Sequence, residues 1–337
     1  MRYIIYGAGA IGGSIGGFLH LAGFETVLVC RGDHLHAVRE RGLELLTPRG
    51  PLLANVTAVG NVKEMELGAD DVVILTMKSQ DTECALHDLE AAGGADLPII
   101  CCQNGVDNER VAARRFQRVY AMLVAMGADY LQAGRVTCFG SPAAGVLDCS
   151  GYPSGTDELI ERVAEDFTSA GMSSRAISDV MPFKYRKLIT NLNNGLSALT
   201  AGPSQLSSTA RTDPAYRAIA HAMRVEAEEC IAAAGIDCAT RDEYEAEIWS
   251  RYKHVDVPGS TRGGTSTWQS LMRGRTSIEV DYLNGEIVLL GALYGVPTPC
   301  NATIRRLSQQ LAVRGEPVGH YKAGEIAAML DLEPATA

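Results

Sequence analysis

The chain has no excess of positive charge. Forty acidic residues oppose thirty basic ones among 337, leaving a formal charge of −10. That balance argues against a general binder of nucleic acid or of anionic membranes, which needs a basic field. There is no C-x-x-C pair and no His/Cys/Asp grouping at metal-ligand spacing, so no metal site is expected. Nine cysteines are scattered singly, apart from the neighbours Cys101 and Cys102. In a chain of this size they read as reduced core thiols of a cytoplasmic protein. Internal repeats, low-complexity tracts and long linkers are also missing. Tyr3 to Phe24 carries no formal charge and has the length of a membrane helix, but six glycines between Gly7 and Gly17 argue against one. Only Arg2 supplies positive charge ahead of it and no convincing cleavage site follows, so a signal peptide is not expected either.

What is present is an ordinary globular composition, 46% hydrophobic and 21% charged, long enough for two domains. The first half alternates strand-like and helix-like stretches. Arg2-Tyr6, Thr26-Cys30, Asp71-Thr76 and Leu97-Cys102 are short apolar runs bounded by polar, Gly or Pro signals. Continuous apolar strands separated by helices imply a parallel sheet covered on both faces. Leu43 to Val59 reads as a β-ribbon around the turn at Pro48-Arg49-Gly50-Pro51, and Val119 to Val146 as an antiparallel extension of the main sheet. Beyond about residue 179 the texture is helical, with candidates at Pro214 to Ala234, Arg241-His254, Val280-Tyr294 and Ala302-Val313.

Gly7-Ala8-Gly9-Ala10-Ile11-Gly12 is G-x-G-x-x-G, placed directly after the first strand and opening a helix. Gly7 permits the tight turn, Gly9 lets the backbone approach a pyrophosphate, and Gly12 allows close helix–strand packing. The helix N-terminus then faces the phosphates. About 20 residues on, where an acidic residue would hold the ribose of NAD, stands Cys30-Arg31-Gly32. Arg31 suits a 2′-phosphate and favours NADP(H), with Asp33 as the competing signal for NAD. The fold class expected is therefore α/β: an N-terminal Rossmann-type dinucleotide-binding domain over 1–178 and a C-terminal all-helical domain over 179–337.

Further patches accompany the fingerprint: Met77-Lys78-Ser79-Gln80-Asp81-Thr82, Gln103-Asn104-Gly105-Val106, Tyr185-Arg186-Lys187-Leu188-Ile189-Thr190-Asn191 and Glu279-Val280-Asp281-Tyr282-Leu283-Asn284-Gly285. In that order, from residue 7 to 285, they make the chain resemble the ketopantoate reductase (2-dehydropantoate 2-reductase) family. The resemblance implies a two-domain oxidoreductase that reduces the ketone of a 2-oxo acid with NADPH. It implies Lys187 as proton donor to the ketone oxygen and Asn191 as a substrate ligand. Ser266, in Ser266-Thr267-Trp268-Gln269, would contact the carboxylate, and Glu279 would orient the lysine and touch substrate or cofactor. Lys78, Asn104 and Ala128 match positions lining the nicotinamide or the substrate mouth. The chemistry agrees: hydride arriving at a carbonyl carbon puts charge on oxygen, which a nearby cation must stabilise and protonate. No histidine is placed for that task, whereas Lys187 and Asn191, four residues apart, share a helix face.

The chain departs from the family where the substrate is concerned. Gly195 stands where a second asparagine is usual, one extra residue separates Arg275 from the Glu279 signature, and Gly202-Pro203-Ser204-Gln205 is left unassigned to a family segment. At 100° per residue, Asn194 shares the face of Lys187 but not the direction of position 195. Gly195 is thus expected to leave space and remove a donor, favouring a 2-oxo acid with a bulkier or less polar side chain. Three readings stay open: a ketopantoate reductase, a paralogue acting on another 2-oxo acid or ketone, and a non-catalytic NADP-binding regulator. A small-molecule partner is expected, and a homodimer is compatible with all three.

Overall fold

β-Branched runs flanked by turn residues build the first half. The computed structural model describes residues 1–201, 212–260 and 264–333. Two units divide the chain, Met1–Lys184 with Ala239–Arg262, and Tyr185–Cys238 with Gly263–Ala337. A single junction after residue 178 does not foresee the return of 239–262 to the first unit.

In the first unit the chain runs through β1 (Arg2–Tyr6), α1 (Ala10–Leu21), β2 (Glu25–Val29), α2 (Gly32–Arg41), β3 (Leu43–Thr47), β4 (Gly50–Ala54), β5 (Thr57–Val59) and β6 (Asp71–Leu75). It continues through α3 (Thr82–Ala91), β7 (Ile99–Cys101), α4 (Asn108–Ala113), β8 (Val119–Met122), β9 (Ala128–Gln132), β10 (Arg135–Cys138), β11 (Gly140–Pro142), β12 (Cys149–Gly151) and α5 (Glu158–Ser169). Seven strands form one sheet in the order β12-β8-β7-β6-β1-β2-β5, parallel except for β12. Because side chains alternate along each strand, the sheet feeds two cores. Ile5, Leu28, Ile74 and Ile100 pack with Ile15, Leu19 and Phe167, while Ile4, Val27, Val73 and Ile99 pack with Leu86 and Leu89. The strand order reverses direction between β1 and β6. That is the topological switch point, where ligands of such sheets bind at the carboxyl ends of the strands.

A second sheet, β4-β3-β10-β9, lies on the other side of α1. The glycines of α1 make this sandwich possible. A Cβ on Gly16 would meet Leu28 at 2.4 Å, and one on Gly17 would meet Leu45 at 2.7 Å. Two expectations are corrected here. Thr57–Val59 leaves the ribbon and pairs parallel with β2, because its apolar side chains complete the main sheet. The Val119-to-Val146 stretch is not one antiparallel extension: β8 joins the main sheet in parallel, and β10 pairs in parallel with β3.

Arg241-His254 is also corrected. After α6 (Met181–Asn191), α7 (Asn193–Thr200) and α8 (Pro214–Ala233), the helix α9 (Arg241–Trp249) stops at Trp249, and β13 (Tyr252–His254) pairs antiparallel with β11. Tyr252 is buried and carries the segment into the first unit's core. Asp148, 4% exposed, holds the segment by accepting from Arg251 at 2.6 and 2.8 Å and from Arg175 at 2.9 Å. Burial opposes the charge on Asp148, but the two guanidinium groups outweigh it and keep the carboxyl below its ordinary pKa.

The second unit is helical, combining the end of α6 with α7, α8, α10 (Ser266–Met272), α11 (Asn284–Tyr294), α12 (Pro299–Arg314) and α13 (Ala323–Met329). α8 starts where Asp213 accepts from the N–H groups of Ala215 and Tyr216 ahead of a first-turn proline. Its core residues Ile219 and Met223 pack with Leu196, Leu199, Ile304 and Leu311. The expected helix from Val280 begins instead as a 3-10 turn, Glu279–Tyr282, before α11. Gly202-Pro203-Ser204-Gln205 lies outside the described residues. Among those described, no helix is long and apolar enough to cross a membrane, and seven cysteines are buried.

Candidate active site

The glycine turn after β1 is tightly closed at Gly7 and Gly12 and open at Gly9. Gly7 adopts φ +101°, and a Cβ there would lie 2.7 Å from the Met77 nitrogen. Gly12 is closed as tightly, by Thr76 Oγ1 at 2.3 Å from its would-be Cβ. Thr76 in turn donates to the carbonyls of Tyr6 and Gly7, bracing the turn from β6. Gly9 is the opposite case: a Cβ there would meet nothing within 4 Å. Its bare backbone borders open space beside the first turn of α1.

The N–H groups of Gly7, Ala8 and Gly9 are already spent on the carbonyls of Val29 and Gly7. Ala8 itself is buried. The first-turn N–H groups of Ala10, Ile11 and Gly12 have no intrahelical acceptor, and the N-cap Gly9 offers no side chain to satisfy them. These donors, with the positive end of the helix dipole behind them, suit a pyrophosphate.

Arg31 is exposed and sits as the N-cap of α2, just past β2. Its charge acts on the Tyr6 hydroxyl, partly offsetting burial and Asp88, which together drive that hydroxyl well above its ordinary pKa. Asp33 occupies the first turn of α2. Behind the turn lies His34, 5% exposed, whose Nδ1 accepts from Gly134 N–H at 3.0 Å. That bond puts its proton on Nε2. Burial lowers the His34 pKa, with the Ala8 carbonyl opposing.

Lys78 and Asn104 stand on adjacent loops at the carboxyl ends of β6 and β7. Side chains that the sequence reading did not single out stitch these loops together. Gln103 Nε2 donates to the Met77 carbonyl at 2.9 Å and to Thr82 Oγ1 at 2.8 Å. Asn108 Nδ2 donates to Ser79 Oγ and to the Asn104 carbonyl, both at 3.1 Å. Gln103, Ser79 and Thr82 lie within the quoted patches, whereas Asn108 has no signal in the sequence beyond its place four residues after Asn104. Ala128 opens β9 and pairs with Cys138.

In the second unit, Lys187 and Asn191 are half-buried on α6. Ser266 and Glu279 come together, with Ser266 Oγ donating to Glu279 Oε2 at 3.4 Å. Glu279 is 5% exposed. The neighbouring Thr265 caps α10 and donates to the Asn194 carbonyl at 3.3 Å. Asn194 itself is half-buried. The helix is interrupted at Leu192, whose carbonyl accepts from buried Asn284 Nδ2 at 3.3 Å.

Gly195 does not leave space, contrary to expectation. A Cβ on it would stand 3.0 Å from both Ile304 Cγ2 and Ser308 Oγ and 3.5 Å from Asn284 Oδ1. It is a close approach of α7 to α12, inside the second unit's core. Among the described residues, no three His, Cys, Asp or Glu side chains gather as metal ligands.

Comparison with known proteins gives the same outline. The model of the ketopantoate reductase PanE/ApbA family matches residues 3–147, and that of its C-terminal domain matches residues 179–312. A 2-dehydropantoate 2-reductase of Mesorhizobium japonicum is 30% identical over 335 residues, covering 93% of this chain and 98% of that protein. One from Archaeoglobus fulgidus is 27% identical over 307 residues, covering 91% and 96%. The crystal structure of a PanE/ApbA family ketopantoate reductase from Ralstonia eutropha superposes with a TM-score of 0.78 at 26% identity, covering 94% of this chain and all of that one. A D-mandelate dehydrogenase solved with NADH and anilino(oxo)acetate shares the fold, with a TM-score of 0.77 at 24% identity and coverage of 94% and 99%. With both domain models matched across most of its length, the chain belongs to the ketopantoate reductase family of oxidoreductases.

Proposed function

We propose that this protein reduces the ketone of a 2-oxo acid to the 2-hydroxy acid with NADPH, and that 2-dehydropantoate is its substrate. The observation that carries the reading is the glycine turn, closed at Gly7 and Gly12 and open at Gly9, in a chain of this family. The first unit would hold the dinucleotide, with the first turn of α1 on the pyrophosphate and Arg31 on the 2′-phosphate. Lys78, Asn104 and Ala128 would line its nicotinamide half. Bound there, the nicotinamide supplies a hydride to the carbonyl carbon.

The remaining work falls to the second unit. Lys187 donates a proton from Nζ to the ketone oxygen as negative charge develops on it, giving the alcohol, and is reprotonated from solvent. Asn191 and Asn194 bind the substrate's polar groups, and Ser266 its carboxylate. Glu279, held by Ser266, orients the lysine. Seven buried cysteines suit a reducing compartment, and we place the activity in the cytoplasm.

The direction of Gly195, into the core rather than toward a ligand, removes the reason to expect a bulkier substrate. The test is NADPH oxidation against a panel of 2-oxo acids. Ketopantoate should be turned over, and Lys187→Ala should lower kcat by about 10²–10⁴-fold with NADPH affinity unchanged. Binding of NADPH without turnover of any 2-oxo acid would leave the regulator reading in its place.

A further inference from the structure

Two buried charges have no part in this chemistry. Lys184 is 3% exposed and Glu109 fully buried, and Lys184 Nζ lies 2.7 Å from Glu109 Oε1. The same ammonium donates to the carbonyls of Gln103 at 3.0 Å, Met122 at 3.1 Å and Cys101 at 3.4 Å. Four oxygens thus surround a group with three protons, much as oxygens surround a small cation. The position of those oxygens is informative. Cys101 ends β7, Met122 ends β8, and Gln103 immediately precedes Asn104. All lie at the carboxyl edge of the parallel sheet.

For stability alone, the arrangement is a poor choice. Desolvating two charges offsets much of their attraction, and apolar residues of similar volume commonly serve a fold as well or better. Its effect on the carbonyls is specific, however. Three peptide oxygens whose dipoles repel one another are drawn to one point, which fixes the Gln103 peptide and the loop that follows. From there the hydrogen bonds of Gln103 and Asn108 pass the constraint to Met77 and Ser79, on either side of Lys78. The ribose next to Arg31 belongs over β2, so the other half of a dinucleotide belongs over β6 and β7, across the switch point.

We propose that the Lys184–Glu109 pair is a positioning device for the nicotinamide half of the cofactor, holding the Asn104 and Lys78 loops in the geometry that half requires. The inference rests on the dinucleotide-binding part of the function proposed above. It separates from that function through the choice of ligand. The double variant Lys184→Met/Glu109→Leu, in the full chain, removes both charges and leaves none unpaired. It should keep its cooperative thermal transition and bind NADPH at least tenfold more weakly. 2′-Phospho-ADP-ribose, which lacks the nicotinamide, should bind within twofold of wild type. Unchanged NADPH affinity, or equal losses for both ligands, would overturn the proposal. Should the double variant not fold, the near-isosteric Glu109→Gln carries the same comparison, with at least a threefold loss for NADPH alone expected and equal binding overturning it. Failure of the wild type to bind NADPH would instead strike the proposed function itself.

Discussion

Placing a side chain on Gly195 sets two opposing effects against each other. Within a helix, alanine is favoured over glycine by roughly 0.5–1 kcal/mol. Against this, the new Cβ would stand 3.0 Å from Ile304 Cγ2 and 3.0 Å from Ser308 Oγ, both on α12. Those residues are 0% and 1% exposed, so neither has solvent to swing into. Forcing a methyl into such a core costs about 1–3 kcal/mol. Gly195→Ala should therefore lose about 1 kcal/mol. Gly195→Asn adds an amide with no prepared partners, for a further cost of about 1–3 kcal/mol.

Ser308 supplies the control. Its hydroxyl has no hydrogen-bond partner among the described residues, so Ser308→Ala should be close to neutral alone. Combined with Gly195→Ala it should restore at least half of the lost stability, a coupling above about 0.5 kcal/mol between neighbours. Urea unfolding followed by circular dichroism reads the wild type and all four variants. A stabilised Gly195→Ala would show that α7 and α12 have slack between them. Better ketopantoate turnover in Gly195→Asn would show that position 195 faces substrate after all.

Arg31→Ala should weaken NADPH by about one to two orders of magnitude, the scale of a charge-assisted bond to phosphate, while NADH affinity barely changes; equal losses in a binding titration would sink the assignment of Arg31 to the 2′-phosphate. His34 gives a pH dependence. Burial, opposed by the Ala8 carbonyl, holds its folded pKa below the ordinary 6.5. Under acid the unfolded chain then takes up a proton that the folded one refuses, so stability complete above about pH 6.5 is lost as pH falls below it. His34→Gln should flatten the decline of Tm between about pH 7 and 5, and an unchanged slope would assign that decline to another group.

The parallel sheet was legible because its strands are buried on both faces and read as unbroken apolar runs, as in Asp71-Thr76. The glycine turn was legible because glycine reports directly on backbone geometry: Gly7 takes a positive φ, Gly12 is closed by Thr76, and Gly9 borders open space. Pairing between distant segments was not. Nothing local distinguishes Tyr252–His254 from the end of a helix, since its partner strand β11 lies more than a hundred residues earlier. Gly195 shows the same limit within the candidate site. A glycine on a helix marks either a vacancy or a close approach, and only the position of α12 decides between them.

Glu226 shows where a sequence signal existed and what it meant. Three glutamates stand close together on α8, at 226, 228 and 229, and composition treats them alike. Helical spacing does not, because position 226 falls on the apolar stripe that includes Met223, Ala227 and Cys230. A carboxylate there must find partners, and the start of α12 supplies them. Glu226 accepts from the N–H of Cys300 at 2.7 Å, the N–H of Asn301 at 2.9 Å and Asn301 Nδ2 at 2.7 Å. It therefore does at a distance of more than seventy residues what a capping side chain does locally, and it places negative charge at the positive end of the helix. Glu226→Gln keeps the shape but loses the charge and turns one acceptor into a donor facing N–H groups. A loss of about 2–4 kcal/mol follows, from one or two hydrogen bonds to a charged group together with the dipole term. Glu229→Gln, on the exposed face, should stay within about 0.5 kcal/mol of wild type. If denaturation curves of the two variants superimpose, Glu226 does not hold α12 to α8, and its burial must be explained without those three bonds.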